Sequence, residues 1–356
     1  MLKQRIIWVD TAKYICIIFV MMRHLESNTV FLSTLYTPFF LTVFFFVSGY
    51  VYNEKYTFSQ FMYKKFRGLF VPWLAFSVFN ILLSQIISFN NHGSLVTELG
   101  WNFLQVREHG DGVWFVAALF VAFIPFYFFV KWGNKRLDKR RNIVIATSVI
   151  LSIISVAYMT LMNPALLPWN SVALPWHIEY IFQAMFYMIL GYYFKSNYET
   201  IFDKYNTKRN RIICWFVYLL MVYIPYYADV QLPTFIEVAY QYACQLVGVI
   251  TIVSICKVIK TKRYIEYVGQ NTLICFALHG KVYSLIQTVL RRFFGGIYDA
   301  VLSNVIGSSL FAVLFAFGLS VILIIPAYII NRWLPFVMGR ETGNLVKIHQ
   351  YRRNLH

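Results

Sequence analysis

The sequence predicts an all-α, multi-pass membrane protein, built as a helical bundle of about ten transmembrane helices. Two observations lead to this prediction. Of the 356 residues, 59% are hydrophobic and only 13% are charged, whereas ordinary soluble domains are about 45–50% apolar and about 25% charged. Apolar runs of about 20 residues, the length that crosses a bilayer, also recur along nearly the whole chain. This composition argues against a soluble globular domain, a disordered chain and a secreted disulfide scaffold.

The apolar runs define the predicted spans in order. The second run is short and aromatic, so we expect it to be tilted or partly re-entrant. Because no internal repeat or long linker divides the chain, residues 1–356 are predicted to form a single integral membrane domain, with 332–356 as its tail. The predicted spans are 8–23, 36–52, 68–89, 113–131, 143–162, 175–194, 212–228, 235–256, 268–290 and 304–330.

The distribution of basic residues predicts the orientation. The formal net charge is +17, and 26 of the 32 Lys and Arg residues fall in connections on one predicted side of the membrane, with four on the other side and two within spans. Basic residues collect on the cytoplasmic side of membrane proteins. Both termini are therefore predicted to be cytoplasmic, in a protein of the plasma membrane. The positive charge then needs no nucleic-acid partner to explain it.

Ionisable residues within the first span are candidates for a functional site, because a charge in the bilayer is costly unless it is paired or solvated. Lys13 and His24 are eleven residues apart, which is close to three helical turns and about 16 Å along the axis. One face of the helix therefore presents a cation and an imidazole at two depths. The alternative is that Lys13 extends to the inner headgroups and His24 ends the helix.

A second histidine, His279, lies beyond the middle of the ninth span among apolar neighbours. Histidine is the natural acid or base near neutral pH, so His24 and His279 are both candidates. The roles of His177, Glu179 and Glu237 stay open, because interfacial carboxylates on short outer loops explain the two glutamates equally well. The five cysteines form no C-x-x-C pair, so no metal site is predicted.

The basic stretch before the third span is predicted to be a loop at the cytoplasmic surface. Lys65 and Arg67 occur there, just ahead of Pro72 and Trp73. The stretch fits an ordinary positive loop, which is the better interpretation for Lys64. Clustered cations can also bind the phosphates of a donor substrate.

These residues belong to an ordered set of motifs that resembles the acyltransferase-3 family of integral membrane proteins. The set covers spans 1–4 and span 9. Its members are Trp8-Val-Asp10-Thr-Ala-Lys13 followed by His24, Pro38-Phe39-Phe40, Phe44-Phe45-Phe46-Val47-Ser48-Gly49-Tyr50, Lys65-x-Arg67 with Pro72, Gly112-Val113-Trp114-Phe115, and Val268-Gly269-Gln270-Asn271-Thr272-Leu273 with His279. The sequence departs from the family in carrying Lys13 where many members have Arg, and Tyr14 where many have Gly.

The resemblance implies transfer of an acyl group, usually acetyl from cytoplasmic acetyl-CoA, to a hydroxyl of a cell-surface or extracellular polysaccharide or of its lipid-linked precursor. It implies that Lys13 and His24 are essential and that Arg67 serves the donor. On this basis His24 would be the base or a transient acyl carrier. The donor would be bound by Lys13, Lys65 and Arg67, with Trp114 lining the channel, and His279 would orient His24 or face the acceptor.

Two other functions compete with acyl transfer. A transporter or flippase of lipid-linked glycans would also need many helices and buried charges, although no pair of broken helices marks two inverted halves. A glycan-export partner could keep the fold without the chemistry. A sensor module ranks last. The acceptor sugar, the acyl group and the oligomeric state do not follow from the sequence.

Overall fold

The computed structural model describes residues 5–87, 94–106, 109, 113–134, 137–228 and 232–340, and this part of the chain is helical, with no β-strand. Short 3₁₀-helices occur at Pro164–Leu166, Pro175–His177 and Pro335–Met338, and π-helices at Phe66–Phe70 and Phe194–Tyr198. The α-helices are α1 (Ile7–Arg23), α2 (Val30–Tyr36), α3 (Phe40–Tyr50), α4 (Phe58–Lys65), α5 (Val71–Ile87), α6 (Leu95–Leu104), α7 (Trp114–Gly133), α8 (Leu137–Leu161), α9 (Ile178–Tyr193), α10 (Glu199–Tyr205), α11 (Lys208–Ala228), α12 (Thr234–Cys256), α13 (Arg263–Gln270), α14 (Thr272–Leu302), α15 (Val305–Ile322) and α16 (Ile324–Trp333).

Each predicted span coincides with one or more of these helices. Within the described residues, eight helical stretches are long and apolar enough to cross a membrane. The other two, α1 and α9, contain 17 and 16 residues and are shorter than a typical span. The protein is thus an all-helical, multi-pass membrane protein, whereas the total of ten spans and the cytoplasmic termini stay predictions.

The second predicted span is broken rather than continuous. The span was predicted over 36–52, but the helical stretch begins earlier, at Val30 in α2, stops at Tyr36, and resumes as α3 from Phe40 to Tyr50. The break contains Pro38, which lacks the N–H that an uninterrupted helix would need. The Thr29 side chain accepts a hydrogen bond from the Leu32 N–H (3.1 Å) and so fixes where α2 starts.

The third predicted span begins too late. The stretch before residue 68 was predicted to be a loop, but the helix starts at Phe58 and continues through α4, the π-helix Phe66–Phe70 and α5. Thr57 and Gln60 form a capping box at its start, which satisfies the first N–H groups. Lys65 and Arg67 therefore lie within a helix, and the predicted surface loop is wrong at these residues.

The described residues divide into two compact units. The first takes in those of Met1–Tyr52 and Tyr187–Ile324, and the second those of Asn53–Phe186 and Ile325–His356. In the first unit, α1 packs against α3, α12, α13, α14 and α15, so most of its residues are buried. Because lipid tails are as apolar as these side chains, close packing rather than the hydrophobic effect holds α1 in place.

In the second unit, helix α7 is flanked by α4, α8 and the two short helices Phe66–Phe70 and Pro175–His177, while α6 packs on α5. Aromatic side chains fill these contacts. Their pairing sets the direction of the α4 segment, because Phe58 meets Phe128, Phe61 meets Phe123 and Phe70 meets Phe120. The segment therefore runs antiparallel to α7.

Candidate active site

Helix α1 connects Lys13 and His24 without interruption. Ile7–Arg23 is regular, and His24 is its C-terminal cap, with its backbone N–H 3.1 Å from the carbonyl oxygen of Met21. The sequence-based spacing is therefore kept, with about 16 Å of helix axis between the two residues. One rigid element carries both candidate residues.

The second histidine of the sequence analysis lies beside the first. The ring centroids of His24 and His279 are 5.0 Å apart, and their planes meet at 56°. His279 is buried, whereas His24 is exposed. A buried imidazole is thus in contact with an exposed one, although 255 positions separate them in the chain.

The backbone fixes the tautomer of His279. Its Nδ1 atom lies 2.7 Å from the carbonyl oxygen of Phe276, and because a carbonyl can only accept, Nδ1 carries the proton and donates. In the neutral ring, Nε2 then keeps its lone pair and is the atom that can accept a proton or a hydrogen bond.

The motif Val268-Gly269-Gln270-Asn271 positions the helix that carries His279. A Cβ atom at Gly269 would overlap with the carbonyl oxygen of Asp10 on α1, so only glycine permits so close an approach of α13. Asn271 then separates α13 from α14, and its side-chain Nδ2 donates to the carbonyl oxygen of Tyr267 at 2.8 Å. This short break directs α14 along the end of α1.

Helix α15 fixes the turn that follows His24. The Ser308 hydroxyl donates to the carbonyl oxygen of Ser27 at 2.9 Å, and the hydroxyls of Thr29 and Ser309 are 2.8 Å apart. The turn is thus held to a neighbouring helix just beyond the candidate base.

Lys13 is half-buried on α1. Asp10 lies one turn earlier, but its carboxylate accepts from the Arg5 Nε atom at 2.6 Å. Among the described residues, the Lys13 ammonium makes no hydrogen bond and no ion pair within 4.0 Å. A half-buried cation in this condition is suited to binding an anionic group.

In the second unit, Lys65 and Arg67 are half-buried in the helical α4 segment. The Lys65 Nζ atom lies 3.6 Å from the ring centroid of Phe123, near the middle of α7. Arg67 is in the π-helix Phe66–Phe70, a rare conformation that often marks functional sites. Its guanidinium lies 5.8 Å from the Tyr63 ring.

Gly339 packs against the backbone of Arg67. Its φ of +63° and its contact with the Arg67 carbonyl oxygen, where a Cβ would overlap, both require glycine. Gly339 directly follows the 3₁₀-helix Pro335–Met338. The Arg340 N–H donates to the carbonyl oxygen of Pro335 at 3.0 Å, which stabilises this turn. The segment after α16 is therefore part of the surroundings of Arg67.

Trp114, the first residue of α7, faces a buried polar pair that the sequence left unassigned. Its ring centroid is 5.1 Å from that of His177 and 5.6 Å from that of Tyr180. His177 Nδ1 lies 3.6 Å from Glu179 Oε1, and both side chains are almost completely buried. Glu179 is thus not an exposed interfacial carboxylate, whereas Glu237 is exposed.

The structure brings some predicted site residues together and assigns others to a different unit. Lys13, His24 and His279 belong to the first unit, and Lys65, Arg67 and Trp114 to the second. Gly112 of the motif set, His92, and the tail beyond residue 340 lie outside the described residues. Within the described residues, no three His, Cys, Asp or Glu side chains form a potential metal site.

These features define a multi-pass helical membrane protein with a histidine pair where α1 ends. The chain belongs to the acyltransferase-3 family: the profile of that family, described as an acyltransferase domain, matches residues 6–329. The protein is therefore a membrane acyltransferase. No curated protein matches the chain, and no solved structure does.

Proposed function

We propose that this membrane acyltransferase is an O-acyltransferase. It transfers acetyl, or another short acyl group, from cytoplasmic acyl-CoA to a hydroxyl of a cell-surface or extracellular polysaccharide or its lipid-linked precursor, and it acts in the plasma membrane. The observation that carries the proposal is the contact between the exposed His24 and the buried His279. Family membership supports acyl transfer in general.

In the proposed reaction, His24 removes the proton from the acceptor hydroxyl as its oxygen attacks the thioester carbonyl. A C–O ester bond forms, and the C–S bond of acyl-CoA breaks. The proton held by His24 passes to the departing sulfur, so the products are the O-acyl glycan and CoA. No other reactant is needed.

His279 supports His24 through its acceptor atom. Because Nδ1 donates to the Phe276 carbonyl, Nε2 can accept a hydrogen bond from the acceptor hydroxyl or from a ring N–H of His24. Either bond would orient the proton transfer at His24.

A variant of this mechanism makes His24 the nucleophile. Its ring would attack the thioester, release CoA and carry the acyl group before passing it to the hydroxyl. This route predicts release of one equivalent of CoA per enzyme without acceptor, whereas direct transfer predicts none. A rapid-quench measurement of free CoA separates the two.

Binding of the acyl-CoA donor is assigned to the basic residues. Lys13 is too far along α1 to contact the same atom as His24, so it is proposed to bind the phosphate or pantetheine part of CoA. Lys65 and Arg67 are proposed to bind the nucleotide phosphates, for which guanidinium and ammonium groups are the usual partners. Trp114 is proposed to line the donor channel.

The test is acetyl-CoA-dependent labelling of glycan in isolated membranes. His24→Ala should lower the rate by about 10²–10⁴-fold, the usual contribution of a general base, without lowering expression. The matched control is His109→Ala, because His109 is an exposed histidine that contacts Trp101 and Trp169. Full activity of His24→Ala would exclude the assigned role. Glycan movement without acetyl-CoA-dependent labelling would instead favour a transporter or flippase.

A further inference from the structure

Glu26 lies two residues beyond His24 and is bound by side chains of helix α14. Its Oε1 atom accepts from an Arg291 guanidinium nitrogen at 2.5 Å, and its Oε2 atom accepts from Gln287 Nε2 at 2.5 Å. The Tyr298 hydroxyl adds a longer contact to Oε2 at 3.4 Å. Both carboxylate oxygens are therefore occupied by the same helix.

The backbone of Glu26 is bound by that helix as well. Its N–H donates to the Tyr283 hydroxyl at 3.0 Å. Tyr283, Gln287 and Arg291 follow His279 at intervals of four residues, so each side chain neighbours the next in one row along α14. The row of α14 residues that begins with His279, beside His24, therefore also binds Glu26.

His24 depends on this support because little else fixes it. It lies past the last turn of α1, its side chain is exposed, and its ring nitrogens make no hydrogen bond within the described part of the chain. Its backbone is held at Met21 on one side and, from Ser27 onward, by α15 on the other. Between Met21 and Ser27, Glu26 is the residue that connects this part of the chain to α14.

We propose that Glu26 and Arg291 form a tether that positions His24 against His279 for acyl transfer. They are positioning residues, which act through His24 and need not contact substrate. The inference rests on the proposed function, and the reason is geometric: small errors in the placement of a general base are costly, because proton transfer requires hydrogen-bond distance and alignment.

Because the Glu26–Arg291 ion pair is partly exposed, its removal should affect the position of His24 more than the stability of the fold. The side chains of Arg291 and Glu26 are 52% and 42% exposed, and exposed ion pairs contribute little to stability. Substitution of either residue should therefore leave the protein folded, while the orientation of His24 loosens.

The activity test compares Glu26→Gln, Glu26→Ala and Arg291→Ala with the neighbouring control Arg292→Ala. We expect kcat to fall by about 10- to 100-fold in the three tether variants, with KM for acetyl-CoA within twofold of the parent and the melting temperature equal to that of the control. The exchange Glu26→Arg with Arg291→Glu should recover at least part of the lost kcat. Unchanged kcat in Glu26→Ala, or the same loss in Arg292→Ala, would overturn the proposal.

A cross-linking experiment tests the tether independently of acyl transfer. In a variant lacking the five native cysteines, His24→Cys and His279→Cys should be joined by a short bifunctional thiol reagent, because the ring centroids of the two histidines are 5.0 Å apart. Adding Glu26→Ala should slow this cross-link at least fivefold, whereas Arg292→Ala should not. An unchanged rate would exclude the tether even where acyl transfer is demonstrated, and absence of acyl transfer with a slowed cross-link would reject only the proposed function.

Discussion

At the residue scale, Lys13 is the cation whose surroundings favour a ligand. It is half-buried, and the neighbouring Asp10 carboxylate is engaged by Arg5. Lys13→Met should raise KM for acetyl-CoA by about 10- to 150-fold, since a hydrogen bond to a charged group contributes about 1.5–3 kcal/mol. Lys13→Arg should keep most of the affinity. Steady-state kinetics in membranes measure both, and an unchanged KM in Lys13→Met would remove its proposed role.

Glu179 is a second residue whose environment leads to a prediction, in this case about stability. Its Oε2 atom accepts from the Leu174 N–H at 2.8 Å, and the Ser155 hydroxyl donates to its carbonyl oxygen. Glu179→Ala would leave the part-buried Leu174 N–H without this acceptor, at a cost of up to about 1–3 kcal/mol.

Thermal unfolding in detergent measures this cost. Glu179→Gln retains an acceptor and should unfold close to the parent temperature. Glu237→Ala is the control, because Glu237 is an exposed carboxylate in the first turn of its helix. If Glu179→Ala unfolds at the same temperature as this control, the hydrogen bond from the Leu174 N–H does not contribute to stability.

Residue-level prediction from sequence was uneven for physical reasons. His24 and His279 stand out because imidazoles are costly in an apolar run, and a motif resemblance adds to that signal. Glu26 offers no such signal, because an acidic residue at the end of a span is common. Its partners lie 257–272 positions away, and only the tertiary structure reveals them.

At the scale of elements, the junction between α13 and α14 sets the position of His279. Gly269→Val should destabilise the protein by about 1–3 kcal/mol or more, because the added side chain would overlap with the Asp10 carbonyl and force α13 away from α1. Gly318→Ala is the matched control: its Cβ meets open space in α15, so it should be neutral or slightly stabilising. Equal melting temperatures for the two variants would contradict the close contact.

The helix that includes Lys65 and Arg67 shows where a hydropathy pattern is misleading. Clustered basic residues resemble a cytoplasmic loop, and the third span was accordingly predicted to start at residue 68. A local signal for the true start was present, because Thr57-x-x-Gln60 has the form of a capping box. The π-helix, in contrast, depends on packing against α7 and the segment after α16, which the sequence does not encode locally.

At the scale of the whole molecule, composition and hydropathy were sufficient for the class of fold. Apolar runs of spanning length must be helical in lipid, because every backbone polar group needs an internal partner. The positions of the helices could therefore be predicted to within a few residues in most cases. Which helices contact one another could not be predicted, since the packing of α1 against α13 and α14 depends on the complementary shapes of their surfaces rather than on the hydropathy pattern.

The orientation is testable on the intact chain. With both termini cytoplasmic, a green fluorescent protein fused after His356 should fluoresce, and alkaline phosphatase fused there should be inactive, because each reporter folds on only one side of the membrane. The excess of basic residues on one predicted side is the physical reason for this expectation. An active phosphatase fusion would reverse the orientation and with it the side from which acyl-CoA is proposed to enter.

The contact between Gly339 and Arg67 has a consequence for how far the working part of the chain extends. A protein cut back to Trp333 would retain every predicted apolar run, yet it would lose the short turn that packs on the backbone of Arg67. Because Arg67 is proposed to bind the donor, we expect a minimal active fragment to extend through Arg340 rather than to end with the last apolar run. Shortened versions and fusion junctions should preserve that turn.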